Sequence, residues 1–180
     1  MSDFGTSVAD RALFNVLLEG IIEDIRFALE NKRYRATVVL IYSGIDAMAT
    51  LDRPEKAEEV NRECFINWTE TYMHFNSGSV SGIELYSARC AMLHNYGVCS
   101  RLTNQGIARK IGYVDNSALD VMASPEVKGL LLLSIHGLAD AFIKGVANYL
   151  KMLEAQSDKR KLVAGRLIQM VHIIPLATAS

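Results

Sequence analysis

The sequence predicts an all-α fold: one helical domain over residues 1–180, a bundle of about six helices with one long loop or short hairpin around 98–117. Three observations point there. Half of the residues are hydrophobic and only three are proline, which suits a packed helical core rather than a disordered chain. Apolar residues recur at three- and four-residue spacing along most of the chain. Ser81 and Glu84 form an S-x-x-E capping box, which opens a helix that runs to about Tyr96 and meets a terminating glycine at Gly97.

Taken in order, the first helix spans about Ser7 to Glu30. Leu13, Val16, Leu17, Ile21, Ile25, Ala28 and Leu29 form its apolar face, and Glu19, Glu23, Asp24 and Arg26 its polar one. A basic turn, Asn31-Lys32-Arg33, leads to a second helix from about Tyr34 to Leu51. That segment is apolar on every side, so it is expected at the centre of the bundle. Its β-branched residues would also suit a strand, but its uninterrupted length favours helix, and Pro54 stops it. A third helix, about Glu55 to Phe75, carries acids in its first turns and an inward stripe of Cys64, Phe65, Trp68, Tyr72 and Phe75. After the Ser81–Tyr96 helix, periodicity disappears from Val98 to Ser117, where a long loop with a short hairpin is expected. Ser124-Pro125-Glu126 reads as a helix start, giving a helix from Pro125 to about Ala155, and a last one follows from about Asp158 to Val171.

The formal net charge of −1 gives no global attraction for nucleic acid or membrane, but the charge is unevenly spread. From Leu85 to Val114 there is no acid, while Arg89, Arg101, Arg109 and Lys110 fall in that span. Cys64, Cys90 and Cys99 cannot all pair and read as reduced thiols of a cytoplasmic protein. The first residues, with Asp3 and no early apolar core, do not read as a signal peptide. The longest apolar stretch, Gly129 to Ile143, is too short to span a bilayer, so no membrane association is expected.

The densest set of chemically capable side chains lies on the Ser81–Gly97 helix: Tyr86, Arg89, Cys90, His94 and Asn95. Arginine can hold a phosphate while imidazole moves a proton, which is what phosphodiester cleavage needs. An R-x4-H spacing is weak by itself: about 0.7 pairs with four to six intervening residues arise by chance here, by simple counting. A second pair, Arg166 and His172, stands in an apolar segment without polar neighbours. The first pair has Tyr86, Asn95 and the basic loop beside it, and Asp46 on the second helix is positioned to orient Arg89 or His94, or simply to pair with a tyrosine or arginine. Cys90 and His94 are one turn apart with Cys99 nearby, but no second pair completes four zinc ligands. A Cys90–His94 or Cys90–His74 nucleophile lacks an orienting partner. No Walker loop or dinucleotide-binding pattern is present, so neither metal nor cofactor is expected.

The segment ELYSARCAMLHNYG resembles the motif helix of the HEPN superfamily, small helical bundles with an R-x(4–6)-H signature, and VVLIYSGIDAM, with Ser43 and Asp46, resembles the early core helix of that family. The likeness covers roughly Arg33 to Gly97. It implies a metal-independent endoribonuclease of toxin or defence type, with Arg89 as the phosphate-binding group and His94 as the proton-transfer residue. Asp46, Tyr86, Cys90 and Asn95 would support them, and Arg101, Arg109 and Lys110 would contact the nucleic acid. Such proteins dimerise to build the site. Independently, the five residues from Arg89 to His94 turn through about 140°, which leaves one copy short of a cleft. Family members often carry Asn, Asp or His directly after the arginine, where this chain has Cys90. The second functional expectation is therefore a non-catalytic module binding RNA, a nucleotide, an antitoxin or another protein partner.

Overall fold

The architecture follows from the need to cover one apolar helix. The computed structural model describes residues 20–57, 59–167 and 169–170. Helix α1 (Glu23–Glu30) buries Ile25 and Ala28, and the part of the predicted first helix before residue 20 lies outside the described residues. After the turn at Asn31 and Lys32 comes α2 (Tyr34–Asp52), within a residue of its predicted bounds. Val38, Ile41, Tyr42, Ile45, Met48 and Leu51 of α2 are fully or almost fully buried. Gly44 is required where α2 meets the penultimate helix, because a Cβ there would stand 2.6 Å from the Phe142 ring. The helix ends as Arg53 turns extended ahead of Pro54.

Helix α3 (Arg62–Tyr72) starts later than the predicted Glu55, because Asn61 is the residue that caps it: its Oδ1 accepts from the Cys64 N–H at 3.0 Å. Phe65, Trp68 and Tyr72 form the expected inward stripe, while Phe75 lies beyond the helix end. Helix α4 (Gly82–Asn95) follows, then a single helical turn, α5 (Arg101–Asn104).

Beyond Asn104 the chain departs from the all-α expectation. The protein is mostly helical, but strands β1 (Lys110–Val114), β2 (Val121–Ala123) and β3 (Leu130–Ser134) form a mixed sheet in the order β1-β3-β2. β1 runs parallel to β3, from Lys110 opposite Leu130 to Val114 opposite Ser134, and β2 is antiparallel to β3. No hairpin forms within 98–117: the partner of β1 lies twenty positions further on, and no local pattern announces it. The predicted helix from Pro125 is also corrected. The Ser124 hydroxyl accepts from the N–H groups of Glu126 and Val127, but it closes a turn, and Gly129 then adopts a left-handed φ of 79°. Leu130–Ser134 is strand, and α6 (Ile135–Ala155) begins only after Ser134, whose Oγ accepts from the Gly137 N–H at 3.1 Å. Asp115, just past β1, accepts from the Tyr34 hydroxyl and from His136 Nε2 (2.9 Å), tying the sheet to the starts of α2 and α6. Helix α7 (Ser157–Leu167) closes the described fold, one residue earlier at its start than predicted, and Val171 lies outside the described residues.

α2 packs against α1, α3, α4, α6 and α7, so it is central as expected. No described helix is long and apolar enough to cross a membrane. Arg166 on α7 is only 9% exposed and donates to the carbonyls of Leu51 (2.7 Å), Arg53 (2.6 Å) and Pro54 (3.3 Å), closing the C-terminal end of α2 with a cation. Three carbonyls share one guanidinium in a largely dry place, so Arg166→Ala should destabilise the fold by about 2–4 kcal/mol. Denaturant unfolding should register this as a lower midpoint. Its motif partner His172 lies outside the described residues.

Candidate functional site

The α4 helix is held at its first turn by Glu84, whose carboxylate is 7% exposed. Glu84 Oε2 accepts from both the Ser81 N–H and the Ser81 hydroxyl at 2.9 Å, completing the capping box. The same carboxylate takes the guanidinium of Arg109, through Nε on Oε1 and Nη2 on Oε2 (3.1 Å). Arg109 was a sequence candidate for nucleic-acid contact; its side chain is exposed, but its guanidinium is committed to a bidentate pair with Glu84.

One stripe further along α4 stands the predicted constellation. Arg89 reaches back to α2 and donates twice to Asp46 Oδ2, from Nη2 at 2.7 Å and Nε at 2.9 Å. The side chains are 23% and 31% exposed, so the pair is shielded yet open on one side. Burial raises the pKa of Asp46 more than Arg89 lowers it, and His94 contributes a smaller lowering. That last effect places the imidazole in electrostatic reach of the same carboxylate. For Arg89, burial opposes the charge but Asp46 outweighs it, so the guanidinium stays firmly protonated. Asp46 thus holds Arg89, while His94 stands about 140° further round the helix. The pair does not resemble a device for stability, since the carboxylate is harder to ionise here than in water.

Tyr86 and Cys90 occupy the adjoining stripe, at i and i+4. The Tyr86 ring packs edge-on against Phe65, and burial, with Cys90 second, raises its phenol pKa, while Arg89 and Arg62 draw it back. Cys90, next to Arg89 in the chain, lines a neighbouring cleft. The cleft has a volume of about 600 Å³ and is lined by Tyr86, Cys90 and Arg101, together with Arg62, Gln105 and Ile107. Arg101 is exposed there, as a nucleic-acid contact requires. Lys110 is exposed at the first position of β1. Asn95 closes α4, and its side chain lies outside the described part of the structure. Cys64, Cys90 and Cys99 are free thiols. Among the described residues no group of three or more His, Cys, Asp or Glu is clustered to hold a metal ion.

Two features of the site escape sequence reasoning. Arg62 joins the cleft from α3, because α3 packs on α4, and nothing local to Arg62 signals it. The helix end also differs from expectation: Tyr96, not Gly97, takes the left-handed conformation (φ 50°), while the Gly97 N–H bonds Ala91 O and the Tyr96 N–H bonds Met92 O, both at 3.1 Å. An exposed tyrosine is thereby held in a disfavoured backbone state two residues after His94.

No protein-family model, curated protein or solved structure matches the chain.

Two stability predictions come from this helix. Tyr96→Gly should raise stability by about 1 kcal/mol, read as a higher unfolding midpoint, because glycine removes the left-handed penalty. Although burial opposes it, pairing with Arg109 and Ser81 leaves the Glu84 pKa below its ordinary 4.5. A depressed carboxylate pKa stabilises the fold above the unfolded value, and that contribution is lost as pH falls through the folded one. The stability gap between wild type and Glu84→Gln should therefore be full at pH 6 and shrink steadily below about pH 4.5. A gap that is constant with pH would show that Glu84 acts by packing alone.

Proposed function

We propose that the chain is a HEPN-like ribonuclease that cleaves RNA without a metal, with Arg89 and His94 as its reacting pair and a second copy of the chain completing the site. The observation that carries this reading is the Asp46–Arg89 pair with His94 at the open end of the same helix. Asp46 fixes the guanidinium through Nε and Nη2, leaving Nη1 for a phosphate oxygen. In RNA cleavage the 2′-hydroxyl attacks the adjacent phosphorus, the bond to the 5′-oxygen breaks, and one proton is accepted while another is supplied. Histidine is suited to either transfer near neutral pH, and arginine keeps its charge as negative charge grows on the phosphoryl oxygens. His94 is exposed, as a group that meets a polymer must be. Tyr96 and Val98, both large, apolar and exposed beside it, provide surface for a second copy.

The second reading is a non-catalytic module that binds RNA, a nucleotide, an antitoxin or another protein through the same surface. Cys90 favours it: a thiol stands where active relatives of the resembled family often carry a polar Asn, Asp or His.

Incubation of RNA with the protein in excess chelator separates the two. On the ribonuclease reading, cleavage persists, products end in a 2′,3′-cyclic phosphate, and His94→Ala abolishes turnover with RNA affinity largely kept. Arg89→Ala should weaken both, Arg89→Lys should recover binding better than rate, and Asp46→Asn should lower the rate about 10–100-fold by freeing the guanidinium. Lys151→Ala, far along α6, serves as the unchanged control. Light scattering at tens of micromolar should give a dimer. Tight binding without cleavage would establish the module instead, and cleavage that survives both Arg89→Ala and His94→Ala would show that the wrong pair has been chosen.

A further inference from the structure

The cleft beside Cys90 is separate from the Asp46–Arg89 pair yet continuous with it through the α4 surface. Tyr86, Cys90 and His94 fall at i, i+4 and i+8, so one stripe of α4 runs from the cleft to the histidine, over about 12 Å of axis, with Arg89 on the stripe beside it. The opposite wall comes from two other elements. α3 supplies Arg62 at its first residue, and α5 supplies Arg101 at its own. Ser100 holds α5 against α4 through a hydroxyl contact to Ser87 Oγ at 2.6 Å, which fixes where Arg101 emerges.

Four properties of the cleft constrain its ligand. Its volume of about 600 Å³ leaves room for a ligand the size of a nucleotide. Arg62 and Arg101 are exposed and engage no carboxylate among the described residues, unlike Arg26, Arg89 and Arg109. Between them lie apolar and aromatic surfaces, the Tyr86 ring and Ile107, the latter 57% exposed. The side-chain amide of Gln105 and the carboxylate of Glu63 supply acceptors, which a purely phosphate-binding site does not need. Two unpaired guanidinium groups, a flat apolar wall and an amide acceptor describe a phosphate joined to a heteroaromatic base.

We infer that this cleft binds a nucleoside phosphate: Arg62 and Arg101 hold the phosphate, Tyr86 and Ile107 take the face of the base, and Gln105 meets its edge. The inference deepens the ribonuclease reading and rests on it for one of two sources, the nucleotide flanking the scissile phosphate of an RNA. The other source is a free mononucleotide. Cys90 lines the cleft one turn before His94, so a strand anchored there can follow α4 to the histidine.

The test is calorimetric titration of the full-length chain at low salt with three probes: adenosine monophosphate, inorganic phosphate, and an uncleavable 2′-O-methyl hexaribonucleotide. Arg62→Ala with Arg101→Ala should weaken the bound probe at least tenfold and reduce the log–log salt slope by about 1. The paired lysine variant should recover part of that loss, and His94→Ala should leave affinity unchanged. Both arginines are exposed, and a melting curve matching wild type verifies that the double variant is folded. Response of the hexaribonucleotide alone assigns the cleft to RNA, and a response of adenosine monophosphate as well assigns it to free nucleotide. The inference is overturned if neither probe binds more tightly than inorganic phosphate, or if the double variant keeps full affinity for both. Arginine-dependent binding with no cleavage of natural RNA would dismiss the ribonuclease reading and leave the cleft standing. Probe binding indifferent to the double variant, with cleavage of natural RNA intact, would do the reverse.

Discussion

The constraint on which the rest depends is the burial of α2. Five helices cover it, and Gly44 lets α6 approach so closely that even a methyl group would collide with Phe142. A helix buried so deeply tolerates a carboxylate only with a partner. Asp46 lies on the one partly open stripe of α2, flanked by exposed Ser43 and half-buried Ala47 and Thr50, and Arg89 of α4 meets it there. The pair is thus a consequence of how α2 is covered, and it fixes the rotation of α4 about its axis.

Two carboxylates on this scaffold behave in opposite ways. Glu84, nearly buried, has its pKa lowered because Arg109 and Ser81 outweigh its burial. Asp46, also paired with an arginine, has its pKa raised because its burial outweighs the lowering by Arg89 and His94. The first pair anchors the start of α4. The second leaves a partly exposed ion pair on the same helix as an exposed histidine, with a tyrosine in left-handed backbone at the helix end. Electrostatic cost gathered at one exposed spot, while the rest of the helix is well satisfied, is the physical basis for reading a site there.

The cationic surface is likewise decided by pairing rather than by composition. The acid-free stretch from Leu85 to Val114 contains four cations in sequence, but Arg89 and Arg109 are both consumed by carboxylates outside it, Asp46 and Glu84. What remains without a carboxylate partner among the described residues is Arg101 and Lys110, joined by Arg62 from a segment rich in acids. Local charge counts therefore misjudge which arginines are engaged by carboxylates, because ion pairs form between elements distant in sequence.

The sequence by itself determined the helices whose signals are local. α2 was legible from an unbroken apolar run, the inward face of α3 from its aromatic spacing, and α4 from the Ser81–Glu84 box, since each depends on residues within a turn or two of one another. Asp46, Arg89 and His94 were legible as chemically capable residues for the same reason. Tertiary structure alone decided the sheet. Leu130–Ser134 reads equally well as the start of a helix, and it becomes a strand because β1 and β2 offer edges to pair with and Gly129 breaks the helical path. It also decided that Asp46 and Arg89 meet, that Arg109 turns inward to Glu84, and that Arg62 and Arg101 face one cleft. Each of these rests on a contact between residues far apart in the chain, whose energy exists only once the helices have packed.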